Sequence, residues 1–170
     1  MKKLVLPALL ALTLAACSST GPEATDTSAQ NAGAGVATVT AGSASGSGIA
    51  ALTDPNNILS KRSVFFDFDS YVIKQEARAL VEAHARFLVQ NPQMRMLIQG
   101  NTDERGSREY NLALGQKRAD VVKQALMLLG AKEAQIESVS LGEEKPRCED
   151  RTEACYGENR RGDMLYSGEF

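Results

Sequence analysis

Two kinds of hydrophobic repeat alternate along residues 61–166, and this alternation limits the fold more than any other feature of the sequence. A two-residue repeat in "SVFFDFD" places Val64, Phe66 and Phe68 on one face, which predicts a strand with a mostly buried side. The next segment repeats every three or four residues and predicts an amphipathic helix, whose inward stripe comprises Ile73, Ala77, Leu80, His84, Phe87 and Leu88.

The alternation continues to the C-terminus. The run "MRMLIQG" predicts a second strand, Ser107 and Glu109 begin a long helix, and Gly130 ends it. The predicted inward stripe of that helix comprises Leu114, Arg118, Val121, Ala125 and Leu128. Short helices near Lys132 and "TEACYGENR" and strands "IESVSLG" and "DMLY" complete the order β-α-β-α-β-(α)-β. We therefore expect an α/β fold, an α+β sandwich with a mixed sheet of about four strands and helices on one face.

The N-terminus has the pattern of an export signal. Two lysines precede an apolar run over residues 4–16, which is shorter than the ~20 residues that span a bilayer. Its end, "LAAC", resembles the lipobox of bacterial lipoproteins; the alternative is a plain secretory signal with a chance cysteine. In the lipobox class the cysteine is diacylated, becomes the first residue after cleavage and is then N-acylated, and Ser18 behind it implies transfer to the outer membrane. We expect a signal peptide over residues 1–16, a lipid on Cys17, and a lipid-anchored protein of the cell outer membrane with its domain in the periplasm.

Residues 17–57 differ in composition from the rest of the chain. They are rich in Ala, Gly, Ser and Thr, no basic residue occurs between Lys3 and Lys61, and no aromatic residue precedes Phe65. Such a segment buries too little apolar surface to offset its ordering entropy. We expect a disordered tether with a typical end-to-end distance of ~35 Å, followed by one ordered domain over residues 58–170.

The chain has three cysteines. If Cys17 carries lipid, Cys148 and Cys155 remain as an even pair, and disulfides persist in exported proteins. Two free thiols are the alternative. A closed zinc site is a poorer one, because it needs four ligands and His84 is the only histidine. We expect a Cys148–Cys155 disulfide that acts as a local staple, and neither a metal nor another cofactor.

The sequence favours binding over catalysis. His84 falls on an apolar stripe, where a histidine is more often a packed core residue than a base, and no phosphate loop or glycine-flanked serine is present. We expect no enzymatic activity; a hydrolase or amidase and a protein scaffold are the competing hypotheses. With 19 basic and 21 acidic residues and no basic stripe, nucleic acid is not an expected partner.

A candidate binding site combines one arginine with one aspartate. Arg118 lies on the inward stripe of its helix, where a guanidinium needs a carboxylate or other acceptors, and Asp103 lies in a loop after a strand. Together they suit a zwitterion, since arginine grips a carboxylate with two hydrogen bonds and aspartate receives an ammonium. The alternative is a structural Asp103–Arg118 bridge. Arg118 would lie about 16 Å along a helix that begins at Ser107, so both residues can touch one ligand only if the helix breaks or bends or the loop folds back along it. We predict a break or bend near Gly115, because glycine weakens a helix.

An ordered set of motifs resembles one known family, the peptidoglycan-associated lipoproteins, whose ordered part is like the C-terminal domain of outer-membrane protein A. The matching motifs are "FFDFDSYVI", "GNTDERGSREYN", "LALGQKRADVVK", "SLGEEKP" and "ENRR". This resemblance implies non-covalent binding of the peptidoglycan stem peptide through meso-diaminopimelate, which carries the zwitterion. The binding residues that it implies are Asp69, Asp103, Arg105, Ser107, Leu114 and Arg118, with contact from Phe68.

The resemblance implies further roles and partners. Asn159, Arg160 and Arg161 match a segment that we interpret as structural. The implied partners besides peptidoglycan are the Tol envelope proteins, notably the periplasmic β-propeller component, in a system that supports envelope integrity and constriction at cell division. Gly162 stands where the family usually has alanine, and glycine weakens the interior of a strand.

Overall fold

The computed structural model describes residues 48–170, and the predicted order of strands and helices is confirmed there. The strands are β1 (Ser63–Phe65), β2 (Met96–Asn101), β3 (Ile136–Gly142) and β4 (Arg161–Tyr166). The helices are α1 (Gly48–Thr53), α2 (Arg78–Gln90), α3 (Arg108–Leu128) and α4 (Glu153–Asn159). Turns of 3-10 helix lie at Ile58–Ser60, Gln75–Ala77 and Glu133–Gln135.

The four strands form one mixed sheet in the order β1-β4-β2-β3. β4 pairs antiparallel with both β1 and β2, whereas β2 pairs parallel with β3 because α3 crosses over between them. The core lies between α2, α3 and the sheet face that presents Val64, Ile98 and Met164, each fully buried. The predicted α+β fold with a mixed four-stranded sheet is therefore confirmed.

His84 is a buried core residue, as expected. Its ring is fully covered, and its Nε2 lies 2.8 Å from the carbonyl oxygen of Lys61 while its Nδ1 lies 2.8 Å from the hydroxyl of Tyr166. Because a carbonyl only accepts, Nε2 carries the proton and Nδ1 accepts from Tyr166. Burial lowers the pKa of His84 to about 4, so the ring is neutral at neutral pH.

The first strand is shorter than predicted. β1 ends at Phe65, and although Phe66 is still buried, Phe68 is 57% exposed. The chain leaves the sheet after the Phe66 N–H donates to the carbonyl of Arg160, and a turn at Asp69 (φ 51°) follows. The predicted buried position of Phe68 was wrong because the two-residue repeat in the sequence continues beyond Phe65, the last residue that pairs with β4.

α3 begins as predicted, with the Ser107 hydroxyl accepting from the N–H of Tyr110 at 3.2 Å, but it runs to Leu128 without a break. The predicted break at Gly115 was wrong because this glycine serves a close contact. A Cβ on Gly115 would lie 2.3 Å from the Ser140 hydroxyl, and one on Gly100 would lie 1.8 Å from the Gly115 carbonyl oxygen. The absence of both side chains lets α3 lie directly on β2.

The buried stripe of α3 also differs from the predicted one beyond its first two turns. Leu114 and Arg118 are buried as expected, but the stripe continues through Val122 and Leu126, and Leu128 is 88% exposed. A helix with 3.6 residues per turn permits steps of three or four residues between buried positions. The tilt of α3 on the sheet selects between these steps.

The N-terminal predictions mostly concern residues outside the described part of the chain. The signal peptide over residues 1–16 and the lipid on Cys17 lie outside it, as does most of the predicted tether over 17–57. The tether's last part contains α1, whose Leu52 is buried in the core, so order begins before residue 58. Within residues 48–170, no helix has both the length and the apolarity needed to cross a membrane.

The predicted Cys148–Cys155 disulfide is present, with the two Cα atoms 5.3 Å apart. It joins the loop after β3 to the first turn of α4, which the Thr152 hydroxyl caps by accepting from the Cys155 N–H at 3.3 Å. Disulfide and cap together fix the position of α4.

Candidate functional site

A pocket of about 180 Å³ opens where the loop after β2 meets the turn after β1 and the N-terminal half of α3. Arg160, at the junction of α4 and β4, closes one side of it. The residues that line this pocket are Phe68, Asp69, Thr102, Asp103, Arg105, Gly106, Tyr110, Asn111, Leu114, Arg118 and Arg160.

Arg118 is fully buried and is fixed by backbone carbonyls. Nε donates to Ser70 at 2.8 Å, Nη1 to Asn101 at 2.9 Å and Nη2 to Asp67 at 3.1 Å, and the guanidinium lies 5.3 Å from the ring centre of Phe66. A guanidinium has five N–H groups, so two are left without a hydrogen-bond partner among residues 48–170. Burial lowers the pKa of Arg118 to about 10, against the attraction of nearby carboxylates, so the group stays charged at neutral pH.

Asp103 is buried and holds two other arginines. Its Oδ1 accepts from the backbone N–H of Arg105 at 3.1 Å and from Nε at 3.3 Å, and its Oδ2 accepts from Arg105 Nη2 at 2.7 Å and Arg160 Nη1 at 3.2 Å. Burial alone would raise the pKa of Asp103, but the hydrogen bonds from Arg105 and Arg160 outweigh it and hold the pKa below its usual range. Within residues 48–170 Asp103 forms no ion pair with Arg118, so the structural bridge considered above is not formed.

Arg105 lies between two aromatic rings. Its guanidinium is 4.2 Å from the ring centre of Phe68 and 4.4 Å from that of Tyr156, and its Nη1 lies 3.3 Å from Glu153. Cation–π contacts and ion pairs on several sides leave this side chain little freedom. The exposed Phe68 therefore shapes the pocket by holding an arginine.

Asp69 occupies the opposite rim of the pocket. Its φ of 51° lies in the left-handed region, which is unfavourable for residues other than glycine and occurs often at binding sites. The hydroxyl of Tyr110, on the first turn of α3, donates to its Oδ1. Asp69 is exposed, and Tyr110 is its only side-chain hydrogen-bond donor within residues 48–170. Its second carboxylate oxygen therefore has no hydrogen-bond donor from this part of the chain.

Six of the seven predicted binding residues line this pocket; Ser107 does not, and its hydroxyl caps α3 instead. Asp103 and Arg118 share the pocket although α3 is unbroken, because the loop after β2 folds back along the helix. The Thr102 N–H donates to the Gly142 carbonyl at 2.8 Å and thereby holds this loop against the end of β3.

Sequence reasoning missed several lining residues: Thr102, Gly106, Tyr110, Asn111 and Arg160. Arg160 is the most consequential, because it was grouped with Asn159 and Arg161 as structural. That interpretation suits the other two: the Asn159 amide bonds the backbone of Cys148 in both directions, and Arg161 pairs with Asp163. Arg160 lies between two structural residues in the sequence, and no hydrophobic repeat distinguishes it from them.

The pocket combines three arginines with two aspartates, so it has positive and negative groups within one small volume. Such an arrangement suits a ligand that carries a carboxylate beside an ammonium. No group of three or more His, Cys, Asp or Glu side chains in residues 48–170 is placed to hold a metal ion.

Comparisons with known proteins place the chain in a family. The profile of the OmpA family matches residues 65–160. The peptidoglycan-associated lipoprotein of Pasteurella multocida is 47% identical over 104 residues, 61% of this chain and 69% of the relative. That of Pseudomonas aeruginosa is 36% identical over 159 residues, 92% of this chain and 94% of the relative.

Solved structures agree with this assignment. The crystal structure of the peptidoglycan-associated lipoprotein from Burkholderia pseudomallei has a TM-score of 0.68 and 56% identity, and it covers 69% of this chain and 99% of its own. The C-terminal domain of MotB from Helicobacter pylori has a TM-score of 0.58 over 63% of this chain and 84% of its own, and at 21% identity it supports the fold alone. The curated relatives are named as lipoproteins associated with peptidoglycan, and this chain, as a member of their family, is not an enzyme. The chain belongs to the OmpA family and, within it, to the peptidoglycan-associated lipoproteins.

Proposed function

We propose that the pocket binds the stem peptide of peptidoglycan without cleaving it, by holding the zwitterionic end of meso-diaminopimelate. The observation that carries this proposal is Arg118, a fully buried guanidinium that lines an open pocket with two N–H groups unpaired by residues 48–170. Burying a charged group is costly unless its hydrogen bonds are made. A ligand carboxylate supplies the missing acceptors in a geometry that a guanidinium matches.

The ammonium of the same ligand group binds on the aspartate side. Asp69 offers a carboxylate at the exposed rim, and Asp103 offers one at the base. Asp103 already accepts four hydrogen bonds, three of them from Arg105, so the ammonium joins it by exchanging with one of the Arg105 contacts. Leu114, which is buried behind the pocket, contacts the methylene chain between the two charged ends.

The pocket is organised before the ligand arrives. Three carbonyls fix Arg118, two aromatic rings and two carboxylates fix Arg105, and Asp103 is itself held by arginines. Ordering such side chains on binding would cost about 1 kcal/mol each. Holding them beforehand removes this cost and favours one ligand geometry.

The N-terminal part of the chain would connect this binding site to the outer membrane. With a lipid on Cys17 and a tether of about 40 residues, the domain would reach the cell wall from the outer membrane. We propose that the protein tethers the outer membrane to peptidoglycan from the periplasmic side. As part of a Tol system, with the periplasmic β-propeller component as partner, it supports envelope integrity and constriction at division. The names of the relatives, which describe lipoproteins associated with peptidoglycan, and their coverage of this chain support the tethering part of this role.

A peptidoglycan pull-down with the full chain in detergent tests the proposal. Asp69→Asn should reduce the bound fraction about tenfold, because one charge-assisted contact is lost. Asp150→Asn is the matched control: it makes the same change at an exposed carboxylate that lies outside the pocket and forms no ion pair within residues 48–170, and it should bind like the wild type.

Arg118→Lys is the second variant, since lysine keeps the charge but not the planar fork. It should bind at least tenfold less, and circular dichroism should verify that it is folded, because Arg118 also joins three backbone segments. Equal retention of wild type, Asp69→Asn and folded Arg118→Lys on peptidoglycan would refute the proposed site.

A further inference from the structure

Glu153 lies outside the pocket but holds two of its arginines. Its Oε2 is 3.3 Å from Nη1 of Arg105, and its Oε1 is 2.8 Å from Nη2 of Arg160. Asp103 contacts the same two guanidiniums at 2.7 and 3.2 Å from the other side. Asp103, Arg105, Glu153 and Arg160 thus form a closed ring of four alternating charges, which we name the charge ring.

We propose that Glu153 is a positioning residue for ligand binding, one that keeps Arg105 and Arg160 in place when the ligand enters. This inference rests on the proposed function. The two guanidiniums share Asp103 at the base of the pocket, and each repels the other. When a ligand ammonium takes over part of the Asp103 carboxylate, Arg105 loses contacts there. Glu153 then keeps its contacts with both arginines while Asp103 shares its carboxylate with the ligand.

The position of Glu153 is itself fixed. It is in the first turn of α4, between the Thr152 cap and Cys155 of the disulfide. The same helix carries Tyr156, whose ring centre lies 4.4 Å from the Arg105 guanidinium. Glu153, within the disulfide loop, and Tyr156, directly after it, therefore present a carboxylate and an aromatic ring to one arginine, which restricts its rotamers.

A simpler hypothesis makes Glu153 an acidic residue that only stabilises the start of α4. The two hypotheses differ in whether the side chain of Glu153 affects ligand binding. The proposed ligand group carries both an ammonium and a carboxylate, so the charge of Glu153 acts on its two ends with opposite sign and the net electrostatic effect is small. A loss of affinity on neutralising Glu153 therefore reports lost positioning of the two arginines.

Titration calorimetry of the full chain in detergent tests the proposal, with a soluble muropeptide whose tripeptide ends in meso-diaminopimelate as the probe. Glu153→Gln should weaken binding about tenfold, and Glu153→Asp should recover part of it. Glu149→Gln is the matched control, because Glu149 is in the same disulfide loop and forms no ion pair within residues 48–170. Glu149→Gln should change the affinity less than about twofold.

A second measurement, made without ligand, monitors the side chains of the two arginines directly. The Nε–H signals of Arg105 and Arg160 in nuclear magnetic resonance spectra should shift and exchange faster with water in Glu153→Gln than in Glu149→Gln. Unchanged arginine signals, or an affinity for the muropeptide that is equal or stronger in Glu153→Gln, would overturn the proposal while leaving the proposed function intact. If the wild type itself does not bind the muropeptide, both the positioning role and the proposed function are wrong.

Discussion

Acidification should destabilise this domain through His84, whether or not a ligand is bound. The ring is fully buried, with Nε2 donating to the Lys61 carbonyl and Nδ1 accepting from Tyr166, so both nitrogens are satisfied only in the neutral form. Protonation would put a second donor against the Tyr166 hydroxyl and a charge into the core. Burial accordingly lowers the pKa of His84 from 6.5 to about 4.

The size of the effect follows from the difference between the two pKa values. Between 6.5 and about 4 the unfolded chain binds a proton at this histidine and the folded chain does not, so stability falls as the pH falls. The loss is negligible above pH 7.5, reaches about 2 kcal/mol at pH 5, and approaches about 3 kcal/mol below pH 4. That is a large part of the 5–15 kcal/mol typical of a small domain.

Urea unfolding at a series of pH values measures this dependence, and His84→Gln isolates it. Glutamine offers an amide donor to Lys61 and a carbonyl acceptor to Tyr166 but does not titrate. The wild type should lose about 2 kcal/mol more than His84→Gln between pH 7.5 and 5. Parallel curves for the two proteins over that range would refute the assignment of a neutral, buried histidine.

Three further changes test the packing. Gly100→Ala should destabilise the fold by more than about 3 kcal/mol in thermal or urea unfolding, because its Cβ would lie 1.8 Å from the carbonyl oxygen of Gly115; a folded variant of wild-type stability would contradict the close contact. The same change at Gly162 should stabilise by about 0.5 kcal/mol, since a Cβ there would be 3.6 Å from its nearest core neighbours and alanine suits a strand better than glycine. A large loss in Gly162→Ala would argue against the described register of β4. Reducing the Cys148–Cys155 disulfide should cost about 2 kcal/mol or less and leave the sheet folded, and global unfolding on reduction would show that it is more than a local staple.

The hydrophobic repeats predicted the helices and strands well where burial of the segment's own residues determines their bounds. β3 matches the predicted segment "IESVSLG" residue for residue, and Gly130, with φ 104°, follows the end of α3. The repeats failed where the bounds or the buried face of a segment depend on the strand or helix that packs against it. The length of β1 depends on how far β4 accompanies it, and the course of the stripe beyond Arg118 depends on the tilt of α3 over the sheet, neither of which is encoded within the segment itself.

The candidate site shows the same division. A buried-facing arginine on a helix stripe and an aspartate after a strand were visible as unusual residues in their local patterns, which is how Arg118 and Asp103 were found. The roles of Arg160 and Glu153 become visible only in the charge ring, which pairs Asp103 with Arg160, 57 positions apart, and Arg105 with Glu153, 48 positions apart. Gly115 was misinterpreted because a glycine that weakens a helix and a glycine that permits a close contact are identical in sequence.

The most direct test of the central claim compares two ligands that differ only in the carboxylate that Arg118 is proposed to hold. Calorimetric titration of the full chain in detergent would use a muropeptide with meso-diaminopimelate at its third position and one with lysine there, which keeps the ammonium but lacks the distal carboxylate. Because a charge-assisted bidentate contact to a buried guanidinium is lost, the lysine form should bind about a hundredfold more weakly. Equal affinities for the two muropeptides would contradict the account.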